Sequence, residues 1–136
     1  MRVRDAVISW FSYDERIDLV RRGWRGELRN VLRGFCEAGL ADDVLLATSE
    51  LVSNSLEHGG GLAHVHVRGQ GDLIRVEVSD NSPSVPSGSR SVGYERGRGL
   101  QIVGALSDEW GWSPTTDGKT MWAEFHREQD VDRRAR

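Results

Sequence analysis

Glu50 and Asn54 lie four positions apart in the stretch SELVSNSLEHGGG, Ser49 to Gly61. At that spacing on a helix, both side chains leave the same face about one turn apart. An Asn carbonyl oxygen is a hard ligand suited to Mg²⁺, an ion that completes its octahedron with phosphate and water oxygens. A Glu one turn away can orient or deprotonate a hydroxyl or water attacking phosphorus. Asp80 adds a carboxylate that, when ionised, only accepts hydrogen bonds and so suits an exocyclic amine such as that of adenine. Gly97 and Gly99, in GYERGRGLQIVGAL, allow close backbone approach where a helix start offers free N–H groups to phosphate. Lys119 in DGKT, beside Thr120, reads as a hairpin-turn cation, ordinarily solvated but able to reach a terminal phosphate. His58 either closes the Glu50 helix or stands near the phosphates.

These residues need elements to hold them. DAVISWFSY, residues 5–13, is β-prone and reads as a first strand. Ile17, Val20, Trp24, Leu28, Val31 and Phe35 recur at helical spacing. EAGLADD should break that helix, with Gly39 as its C-cap and Asp42 or Asp43 capping the next, which runs to about His58. The second helix carries Leu45, Val52 and Leu56, flanked by Leu46 and Ala47, as its apolar stripe. AHVHVR and the run from Ile74 to Val78 alternate around GQGD and predict a hairpin with one buried face. Period two places Asp80 on that buried face, where a carboxylate without a partner would cost several kcal/mol. Residues 81–99 lack periodicity and read as a loop, a functional lid or a disordered segment. A short helix, GLQIVGAL, follows, then strands EWGWS and TMWAEFH around the turn PTTDGK.

The chain of 136 residues suffices for one core, so residues 1–127 are expected to form a single domain and the charged residues 128–136 a frayed tail. A net charge of −3 gives no global reason to bind nucleic acid. No apolar run is long enough for a membrane span, and MRVRDAVISW shows no extended apolar h-region or small-residue cleavage site, which argues against export. With Cys36 as the single cysteine, a reduced, cytoplasmic setting is the expectation. Six arginines between Arg16 and Arg33, against Asp18 and Glu27, read first as a solvated helix face. His64 and His66 share a strand face without a third zinc ligand, and Trp110, Trp112 and Trp122 read as sheet packing.

The order ExxxN, hairpin ending in Asp, lid, GRGL and GKT resembles the GHKL ATPase domain. Within it, the chain looks closest to the RsbW-like branch of anti-sigma-factor serine/threonine kinases. ELVSNSLEHG matches the family's N-box, VEVSDNSPSVP and ERGRGLQIV its glycine-box regions, and DGKTMWAEF its last segment, covering about Ala41 to Phe125. After Asp80 the chain reads NSPS, where better-known members have a glycine-rich DxGxG, and Glu57 stands where relatives often have a basic residue. The resemblance implies a two-layer α/β sandwich of the Bergerat type, with helices on one face of a mixed, mostly antiparallel sheet. It implies ATP and Mg²⁺ as cofactors, Glu50 as catalytic base and Asn54 as the Mg²⁺ ligand. Asp80 would meet the adenine amine, and Gly97, Arg98, Gly99, Leu100, Lys119, Thr120 and His58 would line the phosphate side. It further implies a homodimer that phosphorylates a serine on a STAS-type anti-anti-sigma protein and holds a sigma factor. The alternative is a binding module that sequesters its partner without phosphate transfer.

Overall fold

The computed structural model describes residues 3–12, 18–58, 62–81 and 95–127, with side chains at 24–55, 64–81 and 99–127. The elements are β1 (Val3–Ser12), α1 (Asp18–Arg33), α2 (Ala38–His58), β2 (Leu62–Gln70), β3 (Leu73–Asp80), α3 (Glu95–Leu106), β4 (Glu109–Pro114) and β5 (Lys119–His126). The five strands form one sheet in the order β1-β2-β3-β5-β4. Every pairing is antiparallel, so the expected mixed sheet is in fact uniform among the described strands. Helices on one face complete the two-layer α/β sandwich.

Alternation builds the sheet as the sequence reading expects. Val65, Val67, Ile74, Val76 and Val78 are buried, and Met121, Ala123 and Phe125 continue the row on β5. Each such Val, Ile, Met or Phe side chain contributes about 1.5–3 kcal/mol on full burial. The β2–β3 hairpin turns at Gly71 and Asp72, and Gly71 takes a φ of 63°, which a tight two-residue turn requires and L side chains resist.

Helix α1 seats Trp24, Leu28 and Leu32 in the core despite its interior glycines, and Phe35 joins them from the turn that follows. It ends at Arg33, and residues 34–36 form the turn into α2. Gly39 therefore lies within the first turn of α2 and is no C-cap, and Asp42 and Asp43 stand inside the helix instead of capping it. Gly34 and Phe35 donate backbone hydrogen bonds to Val31 and Leu32 carbonyls and close α1 without a left-handed residue. Helix α2 is central: it contacts α1, α3, β2, β3 and β5. Its buried arc is accordingly wide, taking in Val44, Leu45, Ala47, Thr48, Leu51, Val52 and Ser55, while Leu46 is turned outward at 50% exposure. No described helix is long and apolar enough to cross a membrane.

Candidate functional site

Helix α2 carries Glu50 and Asn54 as the spacing predicts. Its interior positions hold it rigid around them. Leu51 and Val52 are buried between the two, and Thr48 and Ser49 donate their hydroxyls to the Val44 and Leu45 carbonyls at 2.7 and 2.9 Å. Glu50 is half-buried and Asn54 is 7% exposed.

Helix α3 brings the GRG segment to Glu50. A Cβ built on Gly99 would lie 3.8 Å from Glu50 Oε1 and 3.9 Å from its Cβ. The approach of α3 to the Glu50 carboxylate is thus made by bare backbone, the surface a phosphate chain needs. The helix also begins earlier than the sequence suggests. It starts at Glu95, so Gly97 and Arg98 lie in its first turn and not in a loop before it. Arg and Glu are good helix formers, and the packing of α3 on α2 carries the helix through glycines that read as a breaker. The free N–H groups of the helix start belong to residues 95–98. Leu100 is buried at 3% exposure, so its side chain serves the core and not the phosphate side. The side chains of His58 and Arg98 lie outside the described residues, as do residues 82–94 of the expected lid and the tail 128–136.

At the end of β3, Asp80 is buried, in the row that alternation predicts. The hairpin between β4 and β5 closes within residues 115–118, where Thr115 N donates to Gly118 O and Gly118 N to Thr115 Oγ1. Lys119 is already a strand residue and faces Asp80 directly in the β3–β5 register. Its ammonium meets the two carboxylate oxygens at 3.2 and 3.1 Å, and both side chains are 0% exposed. The reading of Lys119 as a solvated turn cation free to reach a phosphate is therefore corrected: it is a buried partner of Asp80. Thr120 is corrected too. Its hydroxyl lies 3.0 Å from Ser79 Oγ on the opposite face of the sheet, where it cannot join Asp80. Sequence reasoning passed over Gly118 entirely. A Cβ there would fall 2.0 Å from the Asp80 carbonyl oxygen and 2.8 Å from Asn81 Cα, so only glycine lets the β4–β5 turn dock on the end of β3.

The structure thus joins Glu50 with Gly99, and Asp80 with Lys119, on the helix side of the sheet, with Asn54 on the Glu50 helix. It sends Thr120 to the far face. No group of three or more His, Cys, Asp or Glu suited to a metal occurs among the described residues, so an ion here would rest on Asn54 and ligands from a bound phosphate. A carboxylate and an amide on one rigid helix, and backbone-only approach from a second helix start, fit a Mg²⁺–triphosphate.

A two-layer sandwich with such a set of groups defines a nucleotide-binding domain of the ATPase type. The chain belongs to the histidine kinase-like ATPase domain family, whose pattern it matches over residues 14–125. It is an ATP-binding, kinase-like module. No curated protein matches it.

Proposed function

We propose that this domain is an anti-sigma-factor-like protein kinase, transferring the ATP γ-phosphoryl group to a serine of a STAS-type anti-anti-sigma partner and holding a sigma factor as a homodimer. The observation that supports it best is the close approach of the Gly99 backbone to Glu50, which brings the N-box helix and the GRGL helix together beside the carboxylate. Bound Mg²⁺·ATP supplies the transferable phosphoryl group and a counter-charge for it. Asn54 would hold the ion, and the N–H groups at the start of α3, with Gly97, Arg98 and Gly99, would bind the phosphates. Glu50 orients the partner's serine hydroxyl and takes its proton as the new P–O bond forms and the bond to ADP breaks. Asp80 accepts the adenine amine.

Calorimetric titration with ADP and ATP, with and without Mg²⁺, tests the site. Binding should depend on Mg²⁺ and be lost in Asn54→Ala. Glu50→Ala should keep nucleotide binding and lower phosphate transfer to the partner by at least about 10²-fold. Partner control that survives Glu50→Ala unchanged would favour the sequestering module without catalysis.

A further inference from the structure

Lys119 is the single lysine among 18 basic residues, and it is the one whose ammonium is wholly buried. An ammonium withdrawn from water costs several kcal/mol unless its partner is well placed. Here the partner is placed from three sides. Asp80 and Lys119 face each other across the β3–β5 ladder, the ammonium touches both carboxylate oxygens, and the Gly118 turn is pressed onto the Asp80 carbonyl. We propose that Lys119 is a positioning residue for base selection: it fixes the Asp80 carboxylate as an acceptor, and so makes the site choose a 6-amino purine over a 6-oxo purine. The proposal rests on the nucleotide-site reading above and refines it.

The chemistry follows from donors and acceptors. Adenine offers an amine at C6, which an ionised carboxylate accepts. Hypoxanthine offers a carbonyl oxygen there, and two acceptors facing one another repel. A site whose buried polar group is left unpaired by the wrong ligand discriminates strongly. Without the ammonium, Asp80 loses the ion pair that fixes its carboxylate at the end of β3. A carboxylate no longer fixed there can turn from the C6 position, so the wrong base is no longer repelled. Lys119 thus acts on the base through Asp80, and its removal should damage discrimination more than affinity.

The test is calorimetric titration of the full chain with ADP and with inosine diphosphate, on the native protein, Lys119→Met and Lys119→Gln. Folding is checked by circular dichroism, and whichever variant folds decides. The native chain should prefer ADP by at least about 10²-fold, and the preference should fall below about tenfold in Lys119→Met. Lys119→Gln, a neutral donor of similar reach, should fall between them. A variant that keeps the native ADP preference overturns the proposal. So does one that binds ADP more tightly with its preference intact, which would make Lys119 a plug. Loss of ATP affinity relative to ADP, with base preference unchanged, overturns it in favour of a phosphate contact. If the native chain binds neither nucleotide, the nucleotide-site reading itself falls and takes this one with it.

Discussion

On the helix side of the sheet, Asp80 and Lys119 meet at 3.1 Å with both side chains shut away from solvent. On the other side, across the same two strands, Arg75 meets Glu124 at 2.6 Å with 28% and 21% of the side chains exposed. Arg75 also bonds Glu77 at 2.8 Å and lies over the Trp122 ring, 4.4 Å from its centroid. Burial pulls the Arg75 guanidinium down, but hydrogen bonds and charge from Glu77 and Glu124 outweigh it and hold it above its usual range. The contact distances are similar and the consequences are not. A water-accessible pair is screened and each partner keeps an alternative in solvent, so its removal costs little. A buried pair has no alternative, and removing one member strands the other.

The comparison breaks first at Lys119. Lys119→Met should lower unfolding free energy by about 3–5 kcal/mol in urea titration, and Asp80→Asn added to it should restore most of that loss by removing the stranded carboxylate. A double variant no more stable than the single one would show that the pair contributes packing and not charge compensation. Glycine substitutions sharpen the contrast next. Gly118→Ala drives a methyl into the Asp80–Asn81 backbone, which has nowhere to go, and should cost about 1–3 kcal/mol. Gly111→Ala meets the Trp122 ring at 2.8 Å, a half-buried side chain that can swing outward. It should cost less than Gly118→Ala by the same titration and redshift tryptophan emission.

Smaller again is Glu124→Gln on the outer face, at about 0.2–1 kcal/mol. That difference should shrink further in 1 M salt, where the screening length is about 3 Å. Smallest is the Cys36 thiol. Burial pushes it up, Arg127 pulls it back in part and Glu37 adds to the rise. The unfolded chain therefore releases this proton first. Its contribution to stability is intact below the ordinary thiol range near about 8.5 and fades as pH climbs through the folded value. Iodoacetamide at neutral pH should accordingly modify Cys36 more slowly in the native chain than in urea.

The parts of the site that rest on period were legible in the sequence. Glu50 and Asn54 follow from i and i+4, and Asp80 from period two. Lys119 was misread because DGKT reads as turn chemistry and turn residues are normally wet, whereas Thr120 was given a phosphate-side role by the family resemblance alone. The correcting signal was present: stepping back by two from Phe125, Ala123 and Met121 lands on Lys119, while Glu124 and Trp122 lead to Thr120 on the other face. The early start of α3 was not legible, because glycines at 97 and 99 oppose a helix locally and only the packing of α3 on α2 overrides them. Gly118 was invisible for a related reason. Its constraint comes from the Asp80 backbone, 38 positions away, and no local pattern reports such an approach.

Arg127, just past β5, donates through its two terminal guanidinium nitrogens to the Phe35 and Gly71 carbonyls, while its backbone N–H donates to Asp72 O at 2.7 Å. One side chain so fastens the α1–α2 turn to the β2–β3 turn, across a sequence separation of 92 residues to Phe35. A link of that span carries a large loop-closure entropy until the sheet has already brought its ends together. Such a link is expected to form late in folding, after the nucleus. The consequence is kinetic: Arg127 should leave the rate of folding nearly untouched and act almost wholly by slowing the rate of opening.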